Sequence, residues 1–555
     1  MMETIDKEKE PLLIPAFAIK GHTDEEDLLL LGGSSKKRKF HLGQWVKWVS
    51  TRYRKPFDPQ SDEDFWYDPK RSLTWIHNLW ELPNWGLLSH YFNCGIGLSM
   101  LSTPVTYYLV ESLDASAAVT NTYSALTYLP WCLKVFMGLQ SDLVPLMGVH
   151  RLSYFIIGWI VFILSNIWLA IMVKPGIIGT LLLSFVMTMG LLYADTVADA
   201  IVLECSRYES DKEKGRMRTH CYVVRQVGAT IGSIAGALIY NSTSDGGTWG
   251  WGLSIQGCFI LQALLPACTI LPLILFMYEL PILSNKNLSS LCHEMFEFIA
   301  HDGVWIPMLF VYFYGLSYVS NPSWYNFLYD GLEFSDFQVG MLYTIGSLFS
   351  VLGLVAYEKY FFKSSWRRLF LWTTIVSGIF SFLQVLLVTG QTFGLPKIIF
   401  ATGDISLQGF FQYVAFMPFC VMFFSMIPGG TEGTIYALIS TWQNVSGEVA
   451  TGIGTTLACG VNVSDNAIEN HNWSGVLKLT LITSGIQLLP VFFIYGESPS
   501  GIKFLPDNID ETKAQCRNPN RRSNAGAYLF FALFGGSIVA SILQSLYVIF
   551  YPNSC

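Results

Sequence analysis

The sequence predicts an all-α integral membrane protein, built as two six-helix halves followed by one extra C-terminal transmembrane helix. Three observations predict it. The chain is 52% hydrophobic and only 14% charged, with a mean hydropathy of +0.40, a balance suited to lipid rather than to water. Nearly uncharged runs of about 20 residues, the length that crosses roughly 30 Å of hydrocarbon, recur along almost the whole sequence. Basic residues gather in alternate connections between those runs. One or two such runs could be buried core helices; a dozen could not.

Taken in order, residues 1–80 read as a polar, cytosolic, disordered tail with no apolar segment at its start that could be a cleaved signal peptide. The first span is therefore expected to direct insertion. Hydropathy, broken at charged and Pro/Gly clusters, places spans near 85–108, 116–138, 152–173, 177–203, 217–240 and 252–279, an N-terminal six-helix bundle over 81–280. A cytosolic connecting segment over 281–302 holds Lys286, His293 and Glu294. Further spans fall near 303–328, 335–357, 367–389, 404–427, 434–460 and 475–495, a C-terminal six-helix bundle over 303–496. A cytosolic basic loop over 497–526 then leads to an apolar run, 527–551, long enough to cross once more.

Orientation follows from Lys and Arg, which accumulate in cytoplasmic loops. Arg207, Lys212, Lys214, Arg216 and Arg218 share one even-numbered connection; Lys359, Lys363, Arg367 and Arg368 share another; Lys503, Lys513, Arg517, Arg521 and Arg522 share a third. The odd connections hold mainly acids: Glu111, Asp114, Asp330, Glu333, Asp336, Asp465 and Glu469. The N-terminus is expected inside. Three glycosylation sequons, at Asn241, Asn462 and Asn472, all fall in connections that the charge rule puts outside.

The net charge of -7 is divided between the two sides of the membrane and describes no single acidic surface. No basic domain points to nucleic acid. The eleven cysteines lie mostly in apolar runs without metal-type spacing and read as packing residues. No metal ligand set, nucleotide-binding Gly-rich loop or catalytic constellation stands out, so no cofactor and no enzyme activity is expected.

The connection after span two runs Gly138-Leu139-Gln140-Ser141-Asp142 and then Gly148-Val149-His150-Arg151. It resembles the loop motif of the major facilitator superfamily, in which a small residue permits close helix packing and the acid and base form interhelical ion pairs. A degenerate echo follows span eight, where Glu358 and Arg367 keep the spacing of Asp142 and Arg151, as two related halves would produce. Further along, Pro130-Trp131 with Lys134, Asp195 with Asp199 and Glu204, Asn321-Pro322-Ser323, Phe334-Ser335 before Gly340, and Pro428-Gly429 with Glu432 and Ala437 together resemble the folate-biopterin transporter family. The match runs from span one to span twelve. The long tail and the extra span depart from it.

That resemblance implies a secondary active transporter moving folate, a pterin or a related small metabolite by alternating access, with protons as the candidate coupling ion. Two alternatives stay open. One is a transporter of S-adenosylmethionine or another nucleoside-like or organic solute; the other is a non-transporting receptor with the same fold.

Charged residues inside spans carry the mechanistic signal, because an unpaired charge at the bilayer centre costs at least about 2.5 kcal/mol. Asp195 and Asp199 are four apart, hence on one face of span four. Counted from the cytoplasmic ends at about 1.5 Å per residue, Asp195 and Arg225 lie at similar depth, so an ion pair between them is expected. Lys134 is expected to join Asp199 or Asp142. With Arg151 and Glu448, these residues make the expected coupling or gating network.

Span seven mixes aromatics with amide and hydroxyl groups beside a helix-breaking Pro, so Asn321, Ser323, Trp324 and Tyr325 are candidate substrate contacts. Gly228, Gly232 and Gly236 recur at four-residue spacing in span five and are expected to let another helix approach closely. In the tail, acidic runs precede Leu12-Leu13 and Leu28-Leu29; both resemble dileucine signals read by sorting adaptors. Plasma membrane and endosomal or vacuolar membranes are thus both open as locations.

Overall fold

The computed structural model describes residues 78–550 apart from 82–83, 114, 116, 147–149, 173, 207–208, 210–214, 241, 243–248, 275–276, 278–286, 325–326, 335, 428–431, 462, 464–470 and 518–520. Asn241, Asn462, Tyr325 and the two dileucine sites therefore lie outside the described residues. Asn472 is exposed just ahead of a helix, its side-chain oxygen accepting from the backbone N–H of Ser474 at 3.2 Å.

The first half contains α1 (Trp85–Ser99), α2 (Ser102–Tyr107), α3 (Ala117–Cys132), α4 (Lys134–Leu143), α5 (Leu152–Ile171), α6 (Ile177–Ser206), α7 (Arg216–Ile239) and α8 (Ile255–Ile274). A short helix, α9 (Leu288–Ile299), follows. The second half contains α10 (Asp302–Ser317), α11 (Asp336–Ala356), α12 (Trp366–Val388), α13 (Lys397–Met426), α14 (Glu432–Gly460) and α15 (Ser474–Gln487). Then come α16 (Ile509–Cys516) and α17 (Asn524–Phe550).

Among the described residues, nine helices are long and apolar enough to cross a membrane, α17 included. Four of the thirteen expected spans fall short, each for a local reason. Span one is interrupted at Met100–Leu101 between α1 and α2, and span two at Leu133, three residues after Pro130, whose ring removes a helical N–H. Span seven stops at Ser317, ahead of Asn321-Pro322. Span eleven, α14, is long but polar along much of its length, carrying Ser440, Thr441, Gln443, Asn444, Ser446 and Glu448.

Packing repeats with an offset of six spans. In the first half α1 lies on α7 and α5 lies on both α6 and α8; in the second, α10 lies on α14 and α12 lies on both α13 and α15. The halves meet through α4 with α14 and α7 with α11. These two contacts are partners under the same offset, as a twofold relation between halves requires.

Helix α1 lies very close against α7. A Cβ placed on Gly228 would stand 2.1 Å from the Phe92 carbonyl oxygen, and one on Gly236 would stand 2.2 Å from that of Met100. The glycine stripe is a packing device.

Two expected loops contain helices. Within 281–302, α9 buries Leu291, Met295 and Ile299 along one face, and Asn287 caps its start. Within 497–526, α16 is capped by Asn508, whose side chain accepts from the Glu511 N–H at 2.9 Å. The extra helix α17 packs on α3 of the first half and on α10 and α14 of the second. There Trp442 stacks on Phe530 with ring centroids 4.1 Å apart, and the hydroxyls of Tyr312 and Ser537 are 2.5 Å apart. The cysteines are not uniformly packing residues either: Cys459, at the C-terminal end of α14, is disulfide-bonded, while Cys268 and Cys292 are free and exposed. A disulfide at that end suits the side that the charge rule places outside, where conditions are oxidising.

Candidate functional site: a charged cavity between the halves

Two of the interrupted spans, two and seven, and the polar span eleven help to build the site. The break at Leu133 lets Trp131 and Lys134 face inward, and the polar stretch of α14 forms the opposite wall. Between them, α3, α4, α6, α7, α10, α13 and α14 enclose a cavity of about 390 Å³, within the usual range for small-molecule sites.

Its charged floor is a five-residue cluster. Lys134 Nζ is 2.8 Å from Asp195 Oδ2 and 3.4 Å from Asp199 Oδ2. Arg225 Nη1 is 3.3 Å from Asp195 Oδ1. Arg218 pairs with Asp199 and also donates to Tyr91 at 2.9 Å and Tyr222 at 2.8 Å. Its other nitrogen bonds the Tyr436 hydroxyl of α14, so this arginine of the first half reaches into the second. Asp195, Asp199, Lys134 and Arg218 are essentially inaccessible to solvent.

Counting the cluster gives three cations, Lys134, Arg218 and Arg225, against two carboxylates, Asp195 and Asp199, an excess of one positive charge. Lys134 and Arg225 both line the cavity, and each lies over the Trp131 ring, at 5.4 and 5.3 Å from its centroid. Aromatic groups from both halves continue the lining, notably Tyr222, Tyr314, Tyr318 and Phe419, with the amides Gln226, Gln412, Gln443 and Asn444 among them. Such a cavity offers cations for an anion, ring faces for stacking and amides for hydrogen bonds.

Behind Asp195 stand His90 and Cys94, and the ligand atoms of all three lie within 4.8 Å of one another. Trp159 donates its indole N–H to His90 Nδ1 at 3.1 Å. The neutral ring therefore carries its proton on Nε2, 3.8 Å from Asp195 Oδ1. The imidazole presents an N–H to the carboxylate, not a lone pair to a metal.

At the basic face, a second set of ion pairs joins the halves. Arg151 pairs with Asp142, lies 3.1 Å from Glu204 and donates to Ser141 at 2.9 Å. The same Asp142 accepts from the Thr434 N–H at 2.6 Å and from its hydroxyl at 2.5 Å. Thr434 sits in the first turn of α14, where backbone N–H groups lack helical partners and a negative charge is favoured. The echo behaves differently: Glu358 crosses to α7, 2.7 Å from His220 and 3.8 Å from Arg216, whereas Arg367 turns to Glu511 at 2.5 Å and to the Leu505 carbonyl at 2.8 Å.

The structure thus brings Lys134, Asp195, Asp199 and Arg225 together, and separately Asp142 and Arg151. Of its two expected partners Lys134 meets Asp199 and not Asp142, which is committed to Arg151 and Thr434. Glu448 is half-buried on α14 outside the cavity lining. Asn321 donates to Thr480 at 3.1 Å and Ser323 bonds back to Asn321. Trp324 joins an outer apolar cluster with Phe327 and Trp473. None of these three lines the cavity; span seven contributes Tyr314 and Tyr318 instead. Arg218 was read as a loop residue, although Arg218, Tyr222 and Arg225 share one helical face at spacings of four and three.

Comparison with known proteins agrees with this architecture. The BT1 family matches residues 94–499. A folate-biopterin transporter of Synechocystis sp. is 25% identical over 446 residues, covering 77% of this chain and 85% of its own. Folate transporter 1 of Plasmodium falciparum is 23% identical over 398 residues, covering 70% and 75%. Among solved structures, a D-xylose-proton symporter superposes with a TM-score of 0.53 at 15% identity, covering 77% of this chain and 98% of its own. A bacterial homologue of the iron transporter ferroportin in an outward-facing state superposes with a TM-score of 0.50 at 14% identity, covering 74% and 99%. At such identities these structures speak for the fold alone, the two-halved membrane transporter fold already seen in the six-span repeat. With its matched region spanning both halves, the chain belongs to the BT1 family, and it is a multi-pass membrane protein rather than an enzyme.

Proposed function

We propose that the protein is a secondary active transporter that moves a folate, a pterin or a closely related anion by alternating access of its two halves. The observation that carries this is the cavity between the halves, where a cluster with one excess positive charge faces an aromatic and amide-bearing wall. A folate is flat and heteroaromatic at one end and carboxylated at the other. Its ring would stack among Tyr222, Tyr314 and Phe419, its ring edge would meet Gln443 and Asn444, and its carboxylate would take Arg225 and Lys134. Asp195 holds both cations, so an arriving anion competes with that carboxylate. Substrate occupancy and the charge network are then linked, and Asp195, Asp199 or Glu448 could carry a coupled proton. The Asp142–Arg151–Thr434 contact serves as the gate at the basic face.

The test is flux in proteoliposomes. Uptake of labelled folate should saturate and be competed by biopterin. Arg225→Gln removes a charged hydrogen-bond donor, a change of about 1.5 to 3 kcal/mol, and should weaken apparent affinity roughly tenfold or more. Trp324→Ala, in the outer cluster, should leave affinity near wild type. Saturable transport of S-adenosylmethionine or another solute without folate or pterin competition would overturn the substrate class, and absence of any flux would favour a receptor. The membrane in question is the plasma membrane or an endosomal or vacuolar one, with adaptors acting through Leu12, Leu13, Leu28 and Leu29 in the latter case. The N-terminus is placed in the cytosol and Asn241, Asn462 and Asn472 on the opposite, glycosylated side. Cysteines introduced at Arg216 and Asn472 should be labelled from opposite sides.

A further inference from the structure

A second buried carboxylate stands apart from the cavity. Asp404 lies on α13, seven residues after its first residue Lys397, hence about 10 Å from that end of the helix. Its side chain is 3% exposed. Gln384 of α12 donates to Asp404 Oδ2 at 2.9 Å, and Gln408, one turn further along α13, donates to Oδ1 at 2.8 Å. Both partners are neutral. Among the described residues, Lys397 at the head of α13, Lys478 on α15, and Asp330 and Glu333 before α11 are exposed, and none of the four pairs with Asp404. The acids and bases of the cavity cluster pair among themselves.

The contrast with Asp195 and Asp199 is chemical. Those carboxylates have cations within hydrogen-bond reach and can stay charged. A carboxylate buried in a membrane helix with only carboxamides for company has no such compensation, and the low-cost state of the group is the neutral acid. The carboxamides are suited to either state. A side-chain amide can present its NH₂ to an anion or, rotated, its carbonyl oxygen to an O–H. From the structure we infer that Asp404, with Gln384 and Gln408, is a proton-binding site in the outer part of the second half, separate from the charged cavity. A hydronium ion gives its proton to Asp404 and leaves as water. The new O–H donates to the turned carbonyl of one glutamine, while the other amide keeps its N–H bond to the remaining oxygen. Release is the reverse.

The site goes beyond the proposed substrate. It supplies the second half with a proton carrier where the first half has ion pairs, and its protonation can be read without any substrate. Acid-minus-neutral infrared difference spectra of the reconstituted full-length protein should contain a carboxylic-acid carbonyl band that is absent in Asp404→Asn. Gln408→Leu, which removes one hydrogen-bond partner and keeps the acid, should shift that band in frequency without abolishing it. Sodium at constant ionic strength should leave it unchanged. In transport, a gradient of one pH unit coupled one-to-one supports about tenfold accumulation. Asp404→Asn should lose that accumulation and retain exchange of internal for external substrate. Identical difference spectra for wild type and Asp404→Asn overturn the proposal, as does loss of the band on adding sodium or wild-type accumulation in Asp404→Asn. Should the band assign to Asp404 while the wild type carries no folate or pterin, it is the substrate reading that falls and the proton site that stands.

Discussion

The two halves of the six-span repeat each place an acid, Asp142 and Glu358, at the same position and surround it differently. In the first half Asp142, at the end of span two, crosses to the start of span eleven and is backed by Arg151, itself shared with Glu204. In the second half Glu358, at the end of span eight, crosses to the start of span five, where it meets His220 and Arg216. The arginine that the spacing would assign to Glu358, Arg367, has been taken by Glu511 and the Leu505 carbonyl of the segment after span twelve, where Asp507 also bonds Ser365. The first contact is a buried network of a carboxylate, an arginine and a helix start. The second is half-exposed and rests on a histidine. A repeat in sequence has kept the acid and its direction of reach, while the C-terminal extension has redirected the base.

The largest effect expected from breaking this asymmetry comes from Arg151→Gln. It would leave Asp142 and Glu204 buried without their cation, a change of about 3 to 5 kcal/mol. Thermal unfolding of the purified protein should move to markedly lower temperature, and cysteines placed at the α4–α14 contact should become more reactive from the basic face. Wild-type stability together with wild-type reactivity would mean that the first contact is not a gate. Arg367→Gln should do less. Its pair with Glu511 is partly solvent-exposed and worth about 1 kcal/mol or less, so the expected outcome is a local one: faster proteolysis within 497–526, with α4 and α14 unaffected. Equal loss of stability in the two variants would erase the distinction between the halves.

Which of these features could be read in the sequence depended on periodicity. Long apolar runs and the glycines at Gly228, Gly232 and Gly236 carry their structure in spacing alone, and their helices form where hydropathy places them. Asp195 with Arg225 was legible because depth can be counted along straight helices. Arg218 was not, since it sits two residues into α7 and counts as a loop cation until the fold wraps Tyr91, Tyr222 and Tyr436 around it. Asp404 lay unremarked for the related reason that a lone acid near a span end looks like an interfacial charge, and only α12, bringing Gln384, turns it inward. Span seven misled through its aromatics: the residues after its break pack together at the outer end, and the tyrosines before the break reach the cavity. Of the four spans that are too broken or too polar to cross as one apolar helix, three, spans two, seven and eleven, line the cavity, since the polar groups and breaks that spoil a membrane helix also serve a binding wall.

The smallest effect concerns His220. Its Nε2 is 2.7 Å from Glu358 Oε1, close enough for an ion pair when the imidazole is protonated and for a neutral N–H···O bond when it is not. In the first contact the acid is held instead by Arg151 and by the N–H and hydroxyl of Thr434, and the histidine nearby, His150, lies 3.2 Å from the Ser141 carbonyl. Acidifying the basic face should therefore tighten the second contact through the acid's own partner. The expected measurement is the rate at which a cysteine placed at the α7–α11 contact is modified. In wild type it should fall by a few-fold at most as the medium is acidified, in keeping with a half-exposed pair worth about 1 kcal/mol or less. His220→Gln, which keeps a hydrogen-bond donor and cannot take up a proton, should give a flat profile, and the matching probe at the α4–α14 contact should read the same in both proteins. A pH-dependent rate that survives His220→Gln would move the switch elsewhere and leave the two contacts chemically alike.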